Sequence, residues 1–135
     1  MIAIDASALA AALTDDLEVG DSARQRLEEH THWVAPSLLF VEVLSVIRGR
    51  LLAGKIGARR AADSVQALRE LVIDRIDDAA IINRIWELRS NLTAYDASYV
   101  ATAEALHCPL LTADAKLARA SGPRCEFLLL GETCL

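Results

Sequence analysis

Four carboxylates define the chemistry open to this chain: Asp5, Glu42, Asp96 and Asp114. Glu42 carries the clearest signal. It stands inside "SLLFVEVLSVI", a run in which it is the one charged residue. Burying an unpaired carboxylate costs several kcal/mol, so a partner must meet it. If the run is helical, Leu38, Leu39, Ser45 and Val46 share its face by the i±3/i±4 rule. All are apolar or small, and Glu42 is therefore expected to look inward. An ion pair with Arg48 or Arg50 is the competing reading, although neither stands three or four residues away. The other three acids have a second role open to them. Asp5 and Asp114 precede helical stretches and suit N-caps, and Asp96 falls in a first helical turn.

Two like charges about 4 Å apart repel by about 4 kcal/mol at an effective dielectric of about 20. Four converging acids therefore call for a cation or extra protons. A hard divalent ion suits oxygen ligands, Mg²⁺ first and Mn²⁺ as its substitute. Water acidified by such an ion can attack a phosphodiester.

The elements that would position these acids can be read along the chain. "IAID" (2–5) is strand-like, and "SALAAAL" follows as a helix with Ser7 as a candidate N-cap. Asp21 or Ser22 is expected to open a second helix running through Glu29. "WVAP" reads as a strand stopped by Pro36, and Ser37 opens the Glu42 helix, which is expected to end near Gly49. Gly54 and Gly57 mark a turn before a helix over 58–71, whose apolar spacing is Ala62, Val65, Leu68, Leu71 and Val72. "LVIDRID" is strand-like, Asp77 or Asp78 caps a helix through Leu92, and Thr93 caps "AYDASYVATAEAL". "PLLTAD" is another strand, Asp114 starts a helix ending at Gly122, and "EFLLL" closes as a strand.

Strands rich in Ile, Val and Leu alternate with helices, the signature of a parallel sheet covered on both faces. The expected fold is α/β, a three-layer sandwich with a short, mostly parallel central sheet of about five strands. Residues 1–135 are expected to form a single domain, since no linker, repeat or low-complexity stretch interrupts them. In open α/β sheets, sites form beyond the carboxyl ends of the strands, where Asp5 and Asp114 fall.

Composition narrows the classes. The chain is 53% hydrophobic and 24% charged, which suits a packed core and excludes a disordered tail. No secretory signal and no apolar run of roughly 20 residues is visible, so a cytoplasmic protein without a membrane partner is expected. Cys108, Cys125 and Cys134 are an odd set without close pairing and read as reduced thiols. The spacing of His and Cys does not favour zinc. The net charge of −5 opposes a nucleic-acid partner on its face. Against it, "RGRLLAGKIGARR" holds five basic residues, Arg48, Arg50, Lys55, Arg59 and Arg60, and no acid. As a cluster it could receive phosphates, or it could be an outer face or part of a partner groove.

"IDASAL", "PSLLFVEVLSVI", "LTAYDASYVATAEAL" and "CPLLTADAKLARA", in this order, resemble the PIN-domain ribonucleases, specifically the VapC-type toxins of bacterial toxin–antitoxin pairs. The resemblance spans residues 2 to about 122 and leaves "GETCL" unmatched. It implies a Rossmann-like PIN fold and a Mg²⁺-dependent endoribonuclease that acts on RNA, pairs with a small cognate antitoxin and forms a homodimer. It implies that Asp5, Glu42, Asp96 and Asp114 are the acidic quartet, with Asp5 and Asp96 as direct metal ligands. Ser7 and Thr112 match the family's hydroxyl neighbours, expected to hold water or orient a carboxylate. A phosphate-receiver domain would want paired acids after the first strand, yet Ala6 follows Asp5. A haloacid-dehalogenase-like phosphatase would want an Asp where Ser7 stands. A catalytically silent PIN-fold module for RNA binding or protein interaction is the remaining alternative, and such a module has no need of four repelling acids.

Overall fold

The computed structural model describes residues 1–131; Cys134 and most of "GETCL" lie outside the described residues. Five parallel strands form one sheet: β1 (Ile2–Ile4), β2 (Trp33–Pro36), β3 (Asp74–Ile76), β4 (Leu110–Thr112) and β5 (Phe127–Leu129). Their order is β3-β2-β1-β4-β5. From β1 the chain steps outward through β2 to β3, then returns to the other side of β1 for β4 and β5. The strand order thus reverses between β1 and β4, and a crevice opens there at the carboxyl ends.

The crossovers between the parallel strands carry the helices. On one face α1 (Ala6–Thr14) packs against α2 (Glu18–Glu28), α3 (Leu38–Leu52) and α4 (Ala58–Glu70). On the other, α6 (Ala94–Ala105) lies on β1, β2 and β4 with α5 (Ile82–Glu87) beside it. The short α7 (Ala115–Ala118) joins β4 to β5. Helices α1 and α6 are buried almost all round, and their many alanines let them approach the sheet closely. Their buried hydroxyls are satisfied locally: Thr14 donates to the Ala10 carbonyl at 2.6 Å and Thr102 to that of Ser98 at 2.8 Å. Among the described residues no helix is long and apolar enough to cross a membrane.

The sheet and its strands match the expected architecture, while several boundaries move. Asp5, not Ser7, caps α1. Helix α2 opens at Glu18 rather than Asp21 or Ser22, because the Asp15 carboxylate accepts the Leu17 N–H at 2.7 Å and turns the chain earlier. Helix α3 runs through Gly49 to Leu52, since one glycine costs a helix only about 1 kcal/mol. On α4 the buried positions are Ala61, Ser64 and Leu68, with Ala62 exposed and Val72 beyond the helix 87% exposed. A serine lies inside because its Oγ donates to the carbonyls of Leu13 and Arg60, at 3.0 and 2.9 Å. Strand β3 is a short edge strand with Asp74 and Arg75 exposed, not a strand covered on both faces. Asp77 caps only a 3₁₀ turn, Asp78–Ala80. Helix α5 ends at Glu87 and α7 at Ala118, well short of Leu92 and Gly122.

Gly20 sits where α2 crosses the end of α1. A Cβ there would lie 1.8 Å from the Asp15 carbonyl oxygen, whereas at Gly49 it would meet nothing within 4 Å. Alanine should therefore act oppositely at two helical glycines. Gly20→Ala is expected to destabilise by about 1–3 kcal/mol or more through overpacking, and Gly49→Ala to stabilise by about 0.5–1 kcal/mol through helix propensity. Urea denaturation of both variants checks this; equal shifts would refute the α1–α2 contact.

Candidate active site

Asp5 ends β1 and caps α1, and the residue is only 5% exposed. Both of its carboxylate oxygens are engaged. Oδ1 accepts from the Ala8 N–H at 2.9 Å and the Ser7 hydroxyl at 2.6 Å, and Oδ2 accepts from the Thr112 hydroxyl. The Ser7 Oγ in turn accepts the Ala113 N–H at 2.9 Å, and Thr112 Oγ1 accepts the Asp114 N–H at 3.0 Å. The carboxyl ends of β1 and β4 are thereby stitched together across the strand reversal. Asp114 caps α7, accepting from the N–H groups of Lys116 and Leu117 at 2.9 and 3.2 Å.

Asp96 stands in the first turn of α6, but Thr93 does the capping: its Oγ1 accepts the Asp96 N–H at 3.2 Å. The Asp96 carboxylate accepts no hydrogen bond among the described residues. Glu42 is half-buried on α3, in line with Leu38 and Val46 and beside the fully buried row Leu39, Val43 and Ile47. Its Oε2 accepts from the Tyr99 hydroxyl at 3.2 Å, and no arginine pairs with it among the described residues. Tyr99 answers part of what Glu42 faces.

The remainder is the other acids. Asp5, Ser7, Glu42, Val46, Asp96, Tyr99 and Asp114 line one cavity of about 190 Å³. Thr112 reaches the same place through Asp5. All six residues expected from the sequence thus gather at the crevice, and the helix-cap reading of Asp5 and Asp114 holds as well, since one carboxylate performs both tasks. Tyr99 is the member of the site that sequence reasoning misses. Its signal is its position three residues after Asp96, which puts both on one helix face.

Crowding shows in the protonation equilibria. Burial pushes the Asp5 carboxyl above its ordinary value, against the pull of its Ser7, Thr112 and Ala8 donors, and the Asp96 charge adds to the rise. Glu42 is raised first by burial, then by the charges of Asp96 and Asp5, while the Tyr99 hydrogen bond opposes. Asp96 is raised by burial and by the charge of Asp114. The Tyr99 phenol is pushed far upward by burial and by Glu42, so it stays a neutral donor. An all-oxygen, acidic set of this kind could hold a hard cation. As the side chains stand, no three acidic, histidine or cysteine groups among the described residues are drawn tightly enough together to close on one ion.

The basic segment lies outside this cavity, which leaves its role as phosphate contact, outer face or partner groove open. None of its five residues lines this cavity. Arg60 is committed to Asp16, at 2.7 Å, and to the Leu13 carbonyl at 3.3 Å. Arg59 lies 3.9 Å from Asp63.

The PIN domain family model matches residues 2–123. The chain is 40% identical over 130 residues to ribonuclease VapC9 of Mycobacterium tuberculosis (strain ATCC 25618 / H37Rv), covering 96% of this chain and 98% of that one. In fold it is similar to the crystal structure of VapBC2 from Rickettsia felis bound to a promoter DNA fragment, with a TM-score of 0.69, 17% identity, and 96% and 99% of the two chains covered. It is likewise similar to Mycobacterium tuberculosis VapC20, described as a Sarcin-Ricin loop cleaving toxin, with a TM-score of 0.66, 15% identity, and 87% and 93% covered. The chain belongs to the PIN-domain family and, within it, to the VapC-type toxins.

The raised carboxyls fix the sign of a pH dependence. Asp5, Glu42 and Asp96 titrate higher folded than unfolded. The folded state therefore binds protons more readily, and these groups cost stability at neutral pH. That cost is relieved as pH falls through the raised values toward the ordinary carboxylate range of about 4. In EDTA, Asp96→Asn should melt above wild type at pH 7, with the gap narrowing as pH falls toward about 4. Thermal melts across this range check it, and a gap that is absent or widens in acid would refute the repulsion.

Proposed function

We propose that the chain is a divalent-metal-dependent endoribonuclease, that a cognate antitoxin protein silences it, and that Asp5, Glu42, Asp96 and Asp114 carry the reaction. The observation that supports this most is the meeting of these four acids on one cavity at the strand reversal. A chain 40% identical to a ribonuclease gives the phosphodiester substrate its class. The donor set suits magnesium or manganese by chemistry: all oxygen, net negative, and with the Asp96 carboxylate accepting no hydrogen bond among the described residues. Asp5 and Asp96 would hold the ion, with Glu42 and Asp114 completing its surroundings. Bound there, it would supply charge stabilisation for the phosphoryl oxygens and acidify water.

The chain's own groups have distinct tasks in this reading. Ser7, Ala8 and Thr112 lock Asp5 in one orientation, so its charge does not have to be re-aimed during the reaction. Tyr99 does the same for Glu42 while remaining neutral. Glu42, half-buried with its carboxyl raised and held by Tyr99, would accept the proton of an attacking water. Asp114, fixed by the backbone of α7, adds negative charge that raises Asp96.

We also read residues 1–135 as a single PIN domain of a cytoplasmic homodimer. The free thiols of Cys108 and Cys125 agree with a reducing compartment. The exposed Val41, Leu44 and Leu52 of α3 agree with a covered face.

Antitoxin-free protein should cleave total RNA or isolated tRNA with magnesium and stop on addition of EDTA. Asp5→Asn and Asp96→Asn should each lower the rate by about 100-fold or more. Cleavage that persists in EDTA, or survives both substitutions, overturns the reading.

A further inference from the structure

The cavity around the four acids is about 190 Å³, below the range of about 300–1,000 Å³ that encloses a drug-sized ligand. It has room for a scissile phosphate but not for the nucleotides on either side. A second cavity, of about 930 Å³, shares Asp96 and Asp114 with it and is lined further by Asn91, Lys116, Arg119 and Ser121. The two spaces thus adjoin at Asp96 and Asp114.

Charge decides what the larger space can hold. A phosphodiester strand brought against four acids is repelled unless cations stand close by. Most arginines near the core are already committed: Arg24 to Asp21, Arg60 to Asp16, Arg84 to Glu104. Lys116 and Arg119 are exposed and enter no side-chain ion pair or hydrogen bond among the described residues. They line the space next to the acids, whereas none of Arg48, Arg50, Lys55, Arg59 or Arg60 does. Asn91 adds an amide able to donate to and accept from a base edge, and Ser121 a hydroxyl. Phosphate contacts of this kind set register, and polar groups beside them read unpaired bases.

We propose that the cavity between α6 and α7 is the binding site for the single-stranded RNA segment adjoining the scissile phosphate, with Lys116 and Arg119 contacting successive phosphates. The proposal rests on the nuclease reading above and places the strand on the α7 side of the acids, away from the basic α3–α4 segment.

The test is equilibrium binding of a fluorescent twelve-nucleotide single-stranded RNA in EDTA, at salt from 50 to 200 mM. Each phosphate contact on a single strand contributes a slope of about −0.7 to log K against log salt. Lys116→Gln with Arg119→Gln should weaken binding and flatten the slope by about 1.4, so that affinity lost over this salt range shrinks by about sevenfold. Lys116→Arg should keep the wild-type slope, which separates charge from shape. Lys55→Gln with Arg59→Gln should leave both affinity and slope unchanged. If the Lys116/Arg119 double variant keeps the wild-type slope while wild type still cleaves RNA with magnesium, the site is overturned and the nuclease reading stands. The site is overturned in the same way if only the Lys55/Arg59 pair changes the slope, as it would if the α7 face served a protein partner. If wild type fails to cleave RNA with magnesium, the nuclease reading itself falls.

Discussion

A carboxylate buried at the end of the first strand, without a basic partner, is the constraint around which this molecule is arranged. Asp5 is nearly inaccessible, and hydroxyls and one backbone N–H satisfy it. A lysine or arginine in place of Ser7 or Thr112 would ease the burial but cancel the charge. Neutral donors hold the oxygens in place and leave the negative potential intact. The same donors bind β1 to β4 at the one place where the strand order reverses. Sheet closure and site orientation are therefore a single hydrogen-bond network.

That solution leaves the crevice acids without ion-pair partners among the described residues. Three arginines stabilise helix ends and distant contacts. Arg24 donates to the carbonyls of Ala12 and Asp15, and Arg60 to that of Leu13, so the C-terminus of α1 is closed by borrowed cations. Arg84 ties α5 to Glu104 of α6 and to the Gly122 carbonyl. The Glu104 carboxyl is lowered by its Arg84 and Arg124 bonds despite burial, the opposite of the acids in the crevice. Glu104 is paired with cations, whereas among the described residues the acids of the crevice are not.

This contrast also explains what is legible in the sequence. Charge inside an apolar run reveals Glu42, and position at strand ends reveals Asp5 and Asp114, because both follow from period and topology. The exposed edge strand β3 holds Asp74 and Arg75, whereas strands β1, β4 and β5 are readable from their Ile and Leu. Helix ends are less so, because they depend on distant groups. Ser64 is inside only because the Leu13 carbonyl needs a donor, and α2 starts early only because Asp15 turns the chain. The same holds within the basic segment: a run of like charge in sequence does not record that Arg60 is taken by Asp16.

Tyr99 shows where sequence and site meet most closely. It is 1% exposed, on a helix face that also packs the core, and composition alone would assign it to packing. Its hydroxyl is what distinguishes it, since a buried phenol needs a polar partner. Here that partner is a carboxylate whose charge, with burial, drives the phenol's ionisation out of reach. A histidine in this position would bring a second proton equilibrium and a positive charge near neutral pH. The tyrosine gives Glu42 a fixed donor that never becomes a cation. It repeats at α3 what Ser7 and Thr112 do for Asp5. Asp5 and Glu42 are thus oriented by neutral hydroxyls, and the crevice's negative charge is kept available for whatever positive species arrives.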